Sequence, residues 1–368
     1  MKAPKRYPLN QSPLYAVMSK RKLANLFGLP LRDLVFLTSL GDRNYQQWPL
    51  RQKPRDQIAG IRPPVNPRVV QEPMPLLRAL HDQIAALLSK LEKPHFVFSA
   101  SKGRSYLDNA LEHRDNLSYP AFKVDIKRFY PSVKIWWVRR FFEHDMRCAP
   151  DVSRLLARLC CMSGALPTGS PLSPALSYFA CAPIFRWMQE FAELHGLKFT
   201  LYVDDMFFSG AKASQQLSRS VLRYLAINGF RGHKVAHFSP GQPRVITGVA
   251  LSTQGVSIPF KRQKLTRLYE RAFLAADDPE SIHTLGKTLL GQYREGERLQ
   301  RGSSDRAGPI QHRLDQLEPE KLKAKGRTRS AARKRKRLPK TYVADQVQRL
   351  RNREGQISTD VEETPVVG

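Results

Sequence analysis

The chain has 368 residues with 61 lysines and arginines against 32 acids, a formal net charge of +29. That excess points to a polyanion, most simply nucleic acid or an anionic membrane surface. A hydrophobic fraction of 41% permits a sizeable core, while no apolar run approaches the roughly 18 residues that a bilayer span needs. No apolar stretch follows the basic start, as a secretion signal would require. Four cysteines, Cys148, Cys160, Cys161 and Cys181, show no CxxC spacing. They read as reduced thiols of a cytoplasmic protein with no membrane partner.

Residues 1–70 mix basic and proline-rich pieces such as RPPVNPRVV with one helix predicted near 14–27. They read as a basic extension wrapped on a core. Leu76, Leu77, Leu80, Ile84, Leu87, Leu88 and Leu91 recur at helical spacing and predict a helix over 73–91. HFVFSASKGRS reads as a strand leading into a basic loop, and AFKVDIKRFYPSV as a strand ending in a turn. VKIWWVRRFFEH and DVSRLLARLCCM predict two short helices. In LPTGSPLSP, Gly169 suits a tight turn, Ser170 a helix cap and Pro171 a first helical turn. The helix then runs through Phe179, Phe185 and Phe191, with a kink expected at Pro183, and stops at Gly196.

FTLYVDDMFFSG follows as a hairpin, then a helix over 213–228, then PRVITGVAL as a strand. This order predicts an α+β domain, an antiparallel sheet backed by helices. Residues 261–300 read as a separate helical unit. Residues 321–340 hold 11 basic residues and no acid, and STDVEETPVVG closes the chain as a polar segment expected to be disordered.

The hairpin places Asp204 and Asp205 together between apolar runs. Neighbouring side chains on a strand diverge, but at a tight turn two carboxylates can converge on one cation. The agent that offsets their repulsion is Mg²⁺, a hard cation that pairs well with phosphates. Asp125, ending the apolar stretch FKVD, is the expected third carboxylate. Three carboxylates holding two Mg²⁺ about 3.5–4 Å apart suit in-line phosphoryl transfer. Aspartates in a turn also occur for the sake of the turn alone, and Asp125 could simply cap the next helix.

These stretches resemble the reverse transcriptases. YVDD at 202–205 resembles their catalytic box, VDIKRFYPSV at 124–133 their first aspartate motif, and LPTGSPLSP at 166–174 their template and nucleotide loop. NALEH at 109–113, VITGV at 245–249 and SKGRS at 101–105 resemble the NAxxH, VTG and finger-loop motifs of the retron enzymes. The resemblance covers about residues 75–290. It implies a right-hand polymerase: fingers and palm over 71–255 and a helical thumb over 256–312, between the extension at 1–70 and a basic tail at 313–368.

The resemblance makes Asp125, Asp204 and Asp205 the metal ligands. It makes Tyr130 the gate that excludes a ribonucleotide 2′-hydroxyl, or else a core aromatic beside Phe129. Lys102 and Arg104 become candidate triphosphate contacts, or plain members of a solvated basic loop. Lys234 falls where the family has a lysine held to protonate pyrophosphate. The family has Gln where this chain has Thr168, whose side chain reaches less far toward a nucleotide. Asn109 and His113 share a helix face and are assigned to RNA contacts or the local fold. Lys334, Arg335, Lys336 and Arg337 of the tail are assigned to RNA.

The implied activity is RNA-directed DNA synthesis from deoxynucleoside triphosphates. The template is a cognate structured noncoding RNA, copied in part into single-stranded DNA. Priming from an RNA 2′-hydroxyl gives a branched RNA–DNA molecule. A role in defence against phage with a separate effector protein is also implied. The alternatives are a group II intron-like or other bacterial reverse transcriptase, or a catalytically silent RNA-binding protein of polymerase shape.

Overall fold

The computed structural model describes residues 6–317. The tail assignments to Lys334, Arg335, Lys336 and Arg337 lie outside them. The chain opens with α1 (Lys20–Phe27) and α2 (Leu31–Leu40), then β1 (Tyr45–Pro49), the single turn α3 (Pro54–Ile58) and β2 (Val69–Pro73). α4 (Pro75–Leu88) and α5 (Tyr106–Leu111) lead to β3 (Ala121–Ile126). α6 (Phe129–Ser132), α7 (Ile135–Arg140), α8 (Pro150–Cys160), α9 (Ser173–Ala180) and α10 (Ala182–Leu194) follow. β4 (Lys198–Tyr202) and β5 (Asp205–Ser209) form the hairpin, and α11 (Gln215–Ile227) precedes β6 (Gly232–Phe238). β7 (Arg244–Ile246), β8 (Val249–Ser252) and β9 (Gly255–Ser257) lead into α12 (Phe260–Ala275), α13 (Pro279–Glu297) and α14 (Ala307–Asp315).

The α+β expectation holds. The main sheet is antiparallel, of order β4-β5-β3-β6, where the resemblance expects the palm, and β7-β8-β9 form a smaller sheet. Strand alternation sorts the palm residues onto two faces. Phe122, Val124, Ile126, Phe199, Leu201, Met206 and Phe208 pack into the main core with α8, α9 and α10. Lys123, Asp125, Thr200, Asp205, Phe207 and Ser209 take the opposite face. At one end of that face Ala121 and Phe207 join a second cluster with Ala110, Ile246, Val249 and Leu251. At the other end the carboxylates are left to chemistry.

Several local expectations change. The helix near 14–27 starts only at Lys20, where the Ser19 side chain accepts from the Lys22 amide. HFVFSASKGRS is no strand: it meets the sheet edge beside β4 as an isolated bridge, Val97 to Leu201. Ser170 and Pro171 do not begin the helix, which starts at Ser173 with Pro174 in its first turn. The Ser170 hydroxyl is instead 2.7 Å from His81 Nδ1 in the core. The break expected at Pro183 is real and separates α9 from α10 at Cys181. PRVITGVAL is two strands, turned at Gly248 with φ of 84°.

The first 70 residues are more structured than an extension. Leu14, Val17, Leu23, Leu34 and Leu37 sit in the main core, and β1 pairs β2 in a hairpin unrelated to the palm sheet. The excursion between those strands reaches α12 and α13, where the resemblance expects the thumb. Ile58, Ala59 and Ile61 pack against Tyr269, Phe273, Leu285 and Leu289, and the Tyr269 hydroxyl bonds Asp56. The last thumb helix runs to Asp315, beyond the expected boundary at 312.

Among the described residues no single helix is long and apolar enough to cross a membrane. The four cysteines are free and buried, and burial pushes their thiols up, which leaves them poor nucleophiles.

A carboxylate in the apolar seat shared by residues 58–61 and the thumb has no partner there. Ile58→Asp is therefore expected to raise amide deuterium exchange across α12 and α13 while exchange in β3 and β5 stays as in the parent. Uniform exchange in both regions would show that the excursion is not part of the thumb core.

Candidate active site

The site is a rung of the palm ladder. Asp125 of β3 faces Asp205 of β5, and Tyr202 pairs Asp205 across a two-residue turn, so Asp204 sits at the tip. Two hydrogen bonds fix that tip: the Ile126 amide donates to the Asp204 carbonyl at 3.1 Å and the Val203 amide donates to Ser99 Oγ at 2.9 Å. Val203 has φ of 61°, a conformation that a β-branched side chain resists. Strain of that kind is retained where the surroundings over-determine it, as functional turns often require.

Like charges opposite one another on a ladder repel, and three basic side chains answer them. Lys123 Nζ lies 2.6 Å from Asp205 Oδ2. His233 Nδ1 lies 2.9 Å from Asp125 Oδ1, and Lys234 Nζ lies 3.6 Å from Asp125 Oδ2. Consecutive residues of a regular strand cannot both address one carboxylate. Here the pairing of β6 with β3 slips between Lys123 and Asp125, so Lys234 and Val235 stand opposite Val124 alone. Lys234 takes φ of 49° at this bulge, which turns it toward the same aspartate as His233.

No such basic neighbour is bonded to the Asp204 carboxyl. Burial, then the charge of Asp125 and that of Asp205, pushes it up to about 6. Asp205 is also raised, chiefly by burial, against the pull of Lys123. The Tyr130 hydroxyl is pushed up to about 12 by burial and by the Asp204 charge. Its ring lies 5.8 Å from that of Phe129, centroid to centroid, and packs against the main core.

Whether these residues suit divalent metal is answered by their donors. All three supply hard carboxylate oxygens, and Asp205 Oδ1 is buried without a hydrogen-bond partner. The other carboxylate oxygens named above face Lys123, His233 and Lys234. Among the described residues no group of three or more His, Cys, Asp or Glu side chains is arranged to hold a metal as it stands. The donor set fits the metal, with Asp205 Oδ1 open to it.

Other expected contacts are spent on the fold. Arg104 lies over the Phe98 ring at 5.2 Å and donates to the carbonyls of Pro94, His95 and Val97. The Thr168 hydroxyl donates to the Val69 carbonyl at 2.8 Å and accepts from the Gln71 amide at 3.1 Å. It pins the template loop to β2, where Gly169 must lack a side chain because a Cβ would meet the Gln71 carbonyl at 2.8 Å. Lys102 remains exposed beside Gly103, whose φ is 80°.

Asn109 and His113 are buried and cannot form an exposed RNA surface; the RNA assignment gives way to the fold. Asn109 Nδ2 donates to Thr247 Oγ1 at 3.4 Å, which in turn donates to the Tyr106 carbonyl at 2.8 Å. The stretches NALEH and VITGV thus clasp each other. His113 lies past the end of α5, with Nδ1 2.7 Å from Ser209 Oγ and Nε2 2.9 Å from Thr200 Oγ1. It braces α5 against β4 and β5. The thumb meanwhile carries a cleft of about 230 Å³ whose lining includes Arg262, Arg267, Arg301 and Arg306, a surface suited to phosphates.

Lys123 and His233 were not singled out from sequence. Lys123 was legible in principle: two residues before Asp125 on a strand means the same face. His233 has no local signal, because only the β6 pairing brings it to Asp125.

No protein-family model matches the chain. The chain is similar to the Retron Ec86 reverse transcriptase of Escherichia coli, 25% identical over 60% of this chain and 69% of that protein. It is similar to the Retron Mx162 reverse transcriptase of Myxococcus xanthus at 27% identity, over 63% of this chain and 52% of that one. The Retron Se72 reverse transcriptase of Salmonella heidelberg is 30% identical over 39% of this chain and 38% of its own length. Among solved structures, the foamy viral protease-reverse transcriptase dRH in complex with double-stranded DNA is similar at TM-score 0.40 and 14% identity. That alignment covers 75% of this chain and 40% of that one.

Burial pushes the His113 imidazole down to about 3, with the charges of Lys198 and Arg244 adding to the effect. The unfolded chain takes up a proton below pH 6.5 that the native state refuses until about pH 3. This stabilising difference is therefore whole above pH 6.5 and is lost as the pH falls toward 3. His113→Gln starts less stable but is expected to lose less stability between pH 7.5 and 5, measured by urea unfolding at both. An equal loss in parent and variant would assign the acid sensitivity to other groups, such as buried His81.

Proposed function

We propose that this chain, a retron-type reverse transcriptase and so an RNA-directed DNA polymerase, copies part of a cognate structured RNA into single-stranded DNA. Synthesis starts from a 2′-hydroxyl of that RNA and leaves a branched RNA–DNA molecule. The observation that carries the polymerase reading is the rung itself. Asp125 and Asp205 stand opposite each other, Asp204 sits at the turn, and the Asp204 charge acts on Tyr130. The net charge of +29 supports a nucleic-acid substrate.

Asp125, Asp204 and Asp205 would hold two Mg²⁺ ions, through Asp205 Oδ1 among other oxygens. Once bound, such ions stabilise the charge on the attacking and leaving oxygens of an in-line displacement. The chain's own residues do the rest. The ladder and the Ser99 and Ile126 bonds keep the tip in place, so the carboxylates need no reorganisation as charge develops. Tyr130 walls the space beside the tip where a ribose 2′-hydroxyl would have to fit. Lys234, 61% exposed and next to Asp125, is free to swing toward a triphosphate and give it a proton. Lys102 is the remaining exposed cation of the finger loop.

The template loop is held on β2 by Thr168, so template placement depends on the β1–β2 hairpin rather than on a glutamine amide. The kinship alone supports a role in defence against phage with a separate effector protein. Four buried free cysteines support a cytoplasmic location.

Two measurements test this reading. Asp204→Ala combined with Asp205→Ala is expected to abolish deoxynucleotide incorporation, a loss of at least about three orders of magnitude, while RNA binding and thermal unfolding persist. Near-parental synthesis by that variant would remove the assignment. Tyr130→Ala is expected to lower the ratio of deoxy- to ribonucleotide incorporation efficiency at least roughly tenfold, the equivalent of about 1.4 kcal/mol of lost discrimination. An unmoved ratio would make Tyr130 a core residue only.

A further inference from the structure

Lys123 belongs to none of the family motifs quoted above, yet it makes the shortest ion pair of the site. It leaves β3 on the same face as Asp125, and its ammonium lies 2.6 Å from Asp205 Oδ2. The two side chains are only 19% and 16% exposed, so water screens the pair weakly. The second oxygen, Oδ1, is buried and has no hydrogen-bond partner. One edge of the carboxylate is thus saturated by the chain and the other is vacant. Lys234 differs: it is 61% exposed, and 3.6 Å separates it from Asp125.

We propose that Lys123 is a resident counter-cation that balances Asp205 until a divalent metal arrives and then opposes that metal, setting the concentration at which the site loads. The proposal rests on the reading that the three aspartates hold metal. Its logic is a thermodynamic cycle. Before metal binds, Asp205 stands opposite Asp125 and next to Asp204, and the ladder prevents the three from moving apart. Lys123 is what makes the metal-free arrangement tolerable, because removing one partner of a largely buried pair leaves the other charge uncompensated. When metal approaches Oδ1, the same ammonium sits across the carboxylate and repels it. Deleting the ammonium removes its attraction for Asp205 from both states, but removes its repulsion of the metal from the loaded state alone. That difference tightens metal binding.

Mn²⁺ serves as the probe, with the free-ion resonance followed by electron paramagnetic resonance on the full chain without nucleic acid. Lys123→Met is expected to bind Mn²⁺ about tenfold more tightly than the parent, equivalent to about 1.4 kcal/mol. Its melting temperature in EDTA should fall, and the rise on adding Mn²⁺ should exceed that of the parent. Lys123→Arg keeps the charge and should stay within about threefold of parental affinity. Lys123→Gln is the second charge-removing variant and should match Lys123→Met, so the result does not hang on one substitution folding well. Unchanged or weaker Mn²⁺ affinity in a charge-removing variant with a native far-ultraviolet spectrum overturns the role of Lys123 and leaves the metal reading standing. Binding by Asp204→Ala/Asp205→Ala equal to that of the parent, or no binding by the parent, overturns the metal reading and this proposal with it.

Discussion

Two carboxylates held opposite each other on one ladder rung, with a third at the adjoining turn, form an arrangement that a protein does not adopt for stability. Burial and then the charges of Asp125 and Asp205 hold the Asp204 carboxyl above its ordinary range. Everything around them offsets or confines that repulsion. Phe122, Val124, Met206 and Phe208 anchor the strands from the core side. Ser99 and Ile126 hold the tip by its backbone. Lys123, His233 and Lys234 bring three positive or protonatable groups to two of the aspartates. The bulge in β6 lets two successive residues serve one carboxylate.

The second face of the sheet shows how the same strands support both chemistry and framework. A few residues from Asp205, Phe207 and Ser209 face the same way but are covered by α5 and the small sheet. His113 ties that cover to β4 and β5 with both ring nitrogens. Asn109 and Thr247 tie it to the turn before β8. The stretches that most strongly resemble retron enzymes away from the aspartates therefore act as a brace under the palm.

The aspartates stood out because a polar pair inside apolar runs is conspicuous, and Asp125 because it ends an apolar stretch of its own. Tyr130 was singled out by its place after Asp125, and it packs against Phe129. What escaped was non-local. The hairpin of β1 and β2 joins residues 45–49 to 69–73 across a proline-rich excursion that reads as loop. α2 was overlooked because its apolar residues begin straight after Pro30 with no side-chain cap. Arg104 and Thr168 were read by charge and polarity, yet both are committed to nearby carbonyls, a use that composition does not reveal.

The excursion of residues 54–61 has a consequence for how the chain is made. Tyr269 meets Asp56 across 213 positions of sequence, so the apolar seat for Ile58, Ala59 and Ile61 does not exist until the thumb has left the ribosome. During synthesis those side chains wait in water while the palm completes itself from residues already present. Closing so long a loop costs little more than closing one half its length, but it comes last, and surfaces left open meanwhile favour mispairing. Residues 54–61 thus emerge well before their seat does and are among the last to find their place, and the finished contacts are a record of translation order as well as of stability.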